Sequence, residues 1–428
     1  MDKRNLRRAA VELVKDLLIL LLTASALWML SRGSLFQRLE LGREPDRQTT
    51  GVQDSADDLT RAASPLSITA MLGEGERCAL RYDAEGVDTL FHRSAGLLME
   101  ALSSAGAPQR AGRQEWERAM KAAPGLCLDF QGEMPLSVLT GWLGGELSIP
   151  DTRVRRLLLT GEQEGAALYY YDLEEKVWYR CATQVITATQ LTNALEGLTG
   201  DDSWYAFESA QKVALDPDTL FDPGLETLPV CLVQNPAAAG RAALESLMED
   251  LGINPSGSVF YSAAGEEVVR SGSDTLRLSQ DGVAEYSGSS FRVDPIAGQS
   301  EVYAAVESCR RLLERGAVPR SGAAGFYLSR VEETAAGFRV EFEYTLNGAP
   351  VSLHAGPAAQ FEITDGGITA FTLRLRGYTQ SEESQLLLPP VQAAAAMGAL
   401  ALEGRELTVT YHDYGEERVV PQWTALSR

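Results

Sequence analysis

The chain has 428 residues and a formal net charge of −21, from 59 Asp and Glu against 38 Lys and Arg. That length leaves room for two or three domains of ordinary size. The acidic balance argues against a nucleic-acid or anionic-lipid partner, because phosphate contacts need Lys and Arg, and five widely spaced cysteines without a C-x-x-C pair exclude a zinc knuckle or a dithiol motif.

The N-terminal segment sets the organisation. Leu17, Leu18, Ile19, Leu20, Leu21 and Leu22, then Thr23, Ala24, Ser25 and Ala26, then Leu27, Trp28, Met29 and Leu30 form an uncharged run. Spanning ~30 Å of hydrocarbon takes about 20 helical residues, so the helix borrows Val11, Leu13 and Val14, with Lys15 snorkelling to the headgroups. Lys3, Arg4, Arg7 and Arg8 precede it, and a basic flank stays cytoplasmic. The expectation is a single-pass anchor, residues 1–32, with its N-terminus in the cytoplasm and the bulk of the chain extracytoplasmic.

Two other readings compete for this segment. Ala24-Ser25-Ala26 also fits a signal-peptide cleavage site, but Leu27 to Leu30 continues the apolar run beyond the cut. A buried core helix would leave the basic flank unexplained.

Residues 33–63 are polar and read as a stalk. A first α+β domain, 64–215, opens with strands at Leu66–Leu72 and Arg77–Tyr82 and helices at Val87–Ser104 and Gln114–Ala122. A strand at Leu126–Gln131, an apolar segment from Pro135 to Trp142 and a strand at Arg153–Leu159 follow. Ala166–Asp172 and Lys176–Thr183 read as a hairpin, and Ala188–Leu198 as a helix. Tyr169, Tyr170 and Tyr171 alternate sides of their strand, a pattern better suited to core packing with one wet tyrosine than to a sugar platform.

Pro217, Pro223 and Pro229 mark a boundary. A second unit, 226–290, has a helix at Ala237–Leu251 and strands at Ser258–Ser262, Glu266–Ser271, Thr275–Ser279 and Val283–Tyr286. The plan returns in a third unit, 295–428. There a helix at Glu301–Arg315 is followed by strands at Ala324–Glu332, Phe338–Leu346, Val351–His354, Gln360–Thr364 and Ile368–Tyr378. A Pro-led helix through Leu402 and a closing hairpin, Leu407–His412 with Arg418–Trp423, end the chain. Asn347-Gly348 and Asp365-Gly366-Gly367 are strong turn signals. Helix followed by meander, met twice, predicts an α+β fold of antiparallel sheets with helices on one face of each.

Catalytic and metal-binding patterns are sparse. His92, His354 and His412 are the only histidines and lack i, i+4 spacing. No G-x-S-x-G elbow or Gly-Lys step occurs. Ser209-Ala-Gln-Lys212 matches S-x-x-K without its partner motifs. Acidic residues at Asp201, Asp202 and Asp216 to Asp222 lack EF-hand spacing and read as a solvated face. Cys78, Cys127, Cys181 and Cys231 lie in strand-like apolar surroundings, where a thiol acts as a small hydrophobe. The expectation is a protein without catalytic residues, cofactor or metal.

The run Val268-Val269-Arg270-Ser271-Gly272-Ser273-Asp274-Thr275-Leu276-Arg277-Leu278-Ser279-Gln280-Asp281-Gly282-Val283-Ala284-Glu285-Tyr286 resembles the strand, turn, L-x-L, turn, Gly and Tyr pattern of the YycH and YycI proteins. Leu373-Arg374-Leu375-Arg376-Gly377-Tyr378, the Pro390-led alanine helix, Leu407 to Tyr411 and Val420-Pro421-Gln422-Trp423 are similar to that family's closing segments. The resemblance covers residues 226–428 and the anchor. It implies a non-enzymatic accessory protein of the membrane histidine kinase that governs cell-wall metabolism in Gram-positive bacteria. The kinase and a sister single-pass regulator would be its partners, with contacts through the membrane helix and the ectodomain. Thr23, Ala24, Ser25 and Ala26 offer a small-residue face for helix packing.

Two further readings stay open. One is a binding module for cell-wall fragments or peptides, using a sheet edge or Trp142, Tyr169 to Tyr171 and Trp178. The other is a hydrolase.

Overall fold

The computed structural model describes residues 56–428 apart from 74, 210–213, 255–256, 399–401 and 428. The anchor, including Thr23 to Ala26, and residues 33–55 of the stalk lie outside them. Ala56–Ala62, at the end of the segment expected as stalk, is helical, and its Leu59 and Ala62 pack against the core.

β1 (Ser67–Gly73) and β2 (Glu76–Arg81) form a hairpin. The helix Ala84–Ser104 follows, capped by Asp83, whose Oδ1 accepts from the Gly86 N–H at 3.0 Å. Its Val87, Leu90, Phe91, Leu98 and Leu102 recur at helical spacing and are buried. β3 (Gln109–Ala111), the helix Arg113–Ala119, β4 (Gly125–Pro135), the helix Leu136–Trp142, β5 (Arg153–Gly161), β6 (Ala166–Asp172), β7 (Val177–Thr183) and the helix Ala188–Ala194 complete this part. The seven strands pair antiparallel in the order β2-β1-β4-β5-β6-β7-β3.

The expectation of helices on one face only fails for this sheet. Ile68, Leu126, Leu128, Leu159 and Leu168 face the long helix, while Met71, Cys127, Leu158, Ala167 and Tyr169 pack on the other side around Trp116 and Tyr205. Unbroken apolar runs such as Leu157-Leu158-Leu159 are the physical cause, since a strand buried on both faces has no reason to alternate.

β8 (Trp204–Tyr205) pairs with β9 (Leu220–Phe221), and β10 (Thr227–Gln234) leads to the helix Arg241–Leu251, ended by Gly252 at φ +75°. β11 (Val259–Ala263), β12 (Glu266–Ser271), β13 (Asp274–Ser279) and β14 (Val283–Arg292) form the expected meander. The helix Glu301–Gly316 starts at Ser300, whose hydroxyl accepts from the Tyr303 N–H. β15 (Gly325–Thr334), β16 (Gly337–Leu346), β17 (Ala349–Leu353), β18 (Ala359–Thr364), β19 (Gly367–Arg374), β20 (Gly377–Leu386), the helix Pro390–Met397, β21 (Glu406–Asp413), β22 (Arg418–Val419) and β23 (Pro421–Leu426) close the chain. Asn347 and Gly348 sit at φ +51° and +77°, the left-handed pair that an Asn-Gly hairpin turn requires.

The large sheet runs β11-β12-β13-β14-β19-β18-β16-β17-β21-β23, with β15 on β16, and is antiparallel except for β17 against β21. β14 pairs with β19, so the segments expected as second and third units share one sheet. The described residues make up one compact unit.

Two strand expectations are corrected. Ile368–Tyr378 is not one strand: β19 ends at Arg374, and β20 begins at Gly377 in a separate sheet, β20-β10-β22. At Gly377 an added Cβ would lie 3.0 Å from the Arg320 carbonyl oxygen, so a close backbone approach sets the break. In the closing hairpin, β21 pairs with β23, whereas Arg418 and Val419 pair with Leu232 and Cys231 of β10.

Candidate functional site

The densest polar constellation is buried where the first sheet meets the C-terminal strands. Arg155 and Arg156 are consecutive on β5, between the buried Val154 and Leu157. Arg156 donates Nε to Asp129 Oδ2 at 2.5 Å and Nη2 to Glu406 Oε1 at 2.7 Å. Arg155 bridges the same two carboxylates, at 3.2 Å to Asp129 and 2.7 Å to Glu406. Asp218 receives a fork from Arg113, at 3.0 and 2.5 Å, and the Trp116 indole N–H at 3.2 Å. Arg81 donates to Thr408 Oγ1 at 2.6 Å, and the buried Tyr82 hydroxyl accepts from the Val409 N–H at 2.7 Å.

Charge balance fixes the protonation states. Burial alone would raise the Asp129 pKa, but Arg155 and Arg156 outweigh it and hold the carboxyl well below the usual range. For Arg156, burial pulls downward and Asp129, Glu406 and Asp218 overcompensate. Between Thr69, Asp129, Arg156, Asp218 and Glu406 lies a cavity of about 10 Å³, room for about one water. Such an arrangement holds its charges instead of offering them to a substrate. Its role is to fasten β4 and β5 to β21.

A second fastening joins the helices. Glu307 accepts from the Trp142 indole at 3.0 Å, from Arg310 at 2.7 and 2.8 Å and from Arg311 at 2.9 Å. Two glycines allow close approach: a Cβ on Gly132 would lie 2.1 Å from the Leu328 carbonyl oxygen, and one on Gly141 would lie 2.5 Å from the Tyr303 ring.

Of these charged residues the sequence singles out Asp218 alone, within the Asp216 to Asp222 stretch expected as a solvated face, and that expectation is corrected: Asp216 and Asp218 are buried, Asp218 under the Arg113 fork and the Trp116 indole. The available sign was the Arg155-Arg156 pair inside an apolar strand. Trp142, Tyr169 and Tyr170 are core residues, while Tyr171 and Trp178 are half-buried, their rings 4.9 Å apart and tilted by 51°. All five cysteines are free and buried, and burial pushes the Cys127 thiol up to about 12. Ser209 is described, whereas Lys212 lies outside the described residues.

His92 is exposed on the long helix, while His354 and His412 both flank Tyr414, with ring centroids 5.8 and 5.7 Å away. Exposed apolar side chains gather at Leu386, Leu388 and Val391. A surface cleft of about 350 Å³ is lined by Glu115, Arg118, Thr160, Glu162, Tyr169 and Arg180. Among the described residues, no group of three or more His, Cys, Asp or Glu could hold a metal ion, and no helix is long and apolar enough to cross a membrane.

No family model matches the chain, and no curated protein matches its sequence. Among solved structures, the crystal structure of YycH from Bacillus subtilis matches with a TM-score of 0.56 at 10% identity, covering 86% of this chain and 94% of that one. The fold is similar to that of YycH. At this identity the likeness concerns the fold alone, and it spans nearly the whole of both chains, including the N-terminal α+β part that the sequence resemblance did not cover.

Proposed function

We propose that this chain is a membrane-anchored extracytoplasmic regulatory protein of a two-component histidine kinase controlling cell-wall metabolism, acting through protein–protein contacts and not through catalysis. The observation that carries the reading is the near full-length likeness of fold to YycH. The resemblance of residues 268–286 and of the closing segments to the YycH and YycI proteins agrees with it and supplies the kinase as partner. The apolar run Leu17 to Leu30 supplies the anchor, and Thr23, Ala24, Ser25 and Ala26 a face for packing against a partner helix.

The internal chemistry is consistent with this role. The carboxylates Asp129, Asp218, Glu307 and Glu406 are all engaged by arginines. The test is co-purification of the full-length chain with the membrane histidine kinase of its own host after mild detergent extraction.

A second reading, a module that binds cell-wall peptide or glycan, draws on the cleft around Arg118, Thr160 and Arg180. Calorimetric titration with muropeptides separates the two readings, since a regulator that works only by protein contacts gives no heat.

A further inference from the structure

β17 and β21 run parallel with Ser352 opposite His412 and Leu353 opposite Asp413. Just beyond these pairs the chain turns, Gly415 donating its N–H to Asp413 Oδ1 at 2.8 Å with φ +95°. The turn leaves Tyr414 62% exposed. The tyrosine is nevertheless held from two sides. The His412 ring stacks on it at 18°, with Nδ1 3.2 Å from the Tyr414 hydroxyl, and the His354 ring meets it nearly edge-on at 77°. His412 is itself positioned by Thr424, 3.0 Å from Nε2. A large ring with its rotamer fixed in advance offers contact area at little entropic cost, as recognition surfaces do.

The charges near Tyr414 leave acid in excess: Arg374, on the His354 side, donates to the Pro357 and Ala355 carbonyl oxygens at 2.7 Å, against two carboxylates left without an ion pair among the described residues. Arg376 is directed at the buried Asp413, and Arg418 at Glu383, at 3.4 and 2.8 Å. Glu416 and Glu417 are exposed, and neither side chain forms an ion pair among the described residues. An open aromatic face is itself a site of negative potential. The chain beyond residue 31 carries −23, so a cationic group is attracted to this corner while an anionic surface is repelled.

We propose that this corner docks a Lys or Arg side chain from an exposed segment of a partner protein, the cation lying over the Tyr414 ring and beside Glu416 and Glu417. This rests on the regulatory reading above and specifies the kind of surface its partner presents.

The test is ligand-observed NMR on the detergent-solubilised full chain. The probe is a blocked Gly-Arg-Gly-Arg-Gly peptide, compared with its citrulline counterpart of the same shape without charge and with a neutral N-acetylglucosamine disaccharide. The expected result is binding of the arginine peptide alone, unchanged in Tyr414→Phe and weakened about three- to fivefold in Tyr414→Leu, with a further loss in Glu416→Gln/Glu417→Gln. Because Tyr414 is exposed, both tyrosine variants keep the wild-type melting curve.

Equal binding of the citrulline peptide, or of the arginine peptide to Tyr414→Leu, overturns the proposal, as does Tyr414-dependent binding of the disaccharide. Kinase co-purification that survives Tyr414→Leu undiminished removes this corner from docking and leaves the regulatory reading standing. Failure of the wild-type chain to co-purify removes that reading instead.

Discussion

Arg156 and Glu406, 250 positions apart in sequence, meet at 2.7 Å with only 8% and 2% of their surfaces exposed. The first and last parts of the folded unit are therefore joined by a buried charge pair as well as by apolar packing. Removing one member of a buried pair typically costs about 3–5 kcal/mol, because the survivor is left uncompensated, whereas replacing the group with apolar residues of similar size is far milder. Arg156→Met and Glu406→Leu should each lower stability by that order in urea unfolding. The double variant should lose much less than their sum.

The approach of the β4 backbone to β15 makes a second prediction. A methyl group on Gly132 would lie 2.1 Å from the Leu328 carbonyl oxygen and 2.9 Å from that of Ser329. These are backbone atoms that cannot swing aside. Gly132→Ala should destabilise by about 1–3 kcal/mol or more, read as a lower Tm. Gly96→Ala, with open space around the new methyl, should not destabilise.

Glu343 provides a pH signature. Burial, reinforced by the like charge of Glu341, raises its pKa from 4.5 to about 7, against the pull of Arg374 and a backbone hydrogen bond from Ala358. A raised carboxyl pKa means that the folded protein binds more protons than the unfolded chain between about 4.5 and 7. Stability should therefore rise as pH falls through that window. Glu343→Gln should raise Tm at pH 8 and flatten the pH 5–8 profile compared with wild type, measured by calorimetry.

The cysteines should be chemically silent in the folded state. Cys78, Cys127, Cys181, Cys231 and Cys309 are free and buried, and burial raises each thiol pKa, so the reactive thiolate is scarce. Mass spectrometry after iodoacetamide at pH 8 should find these thiols unmodified in native protein and all five alkylated in urea.

The strands and helices with regular periods were legible in the sequence. The meander Glu266 to Tyr286 and the Asn347-Gly348 turn follow from alternation and turn chemistry, and the structure places them where expected. The break between Arg374 and Gly377 was hidden because the apolar pattern continues across it, and only the proximity of the Arg320 carbonyl reveals why the chain leaves the sheet. The charged cluster was hidden for a related reason. Asp129, Asp218 and Glu406 look like ordinary surface acids in one dimension, and only the fold brings them to Arg155 and Arg156. The Tyr414 corner was equally invisible, since His354 and His412 are 58 residues apart and meet only because β17 and β21 pair.

Regulation of a membrane histidine kinase by protein contact can be measured by reconstituting this chain with its host's kinase in proteoliposomes and following autophosphorylation with and without it. The two should co-purify, and the rate should change in proportion to the amount of this chain added. Absence of both co-purification and any change in rate at saturating amounts would contradict that reading.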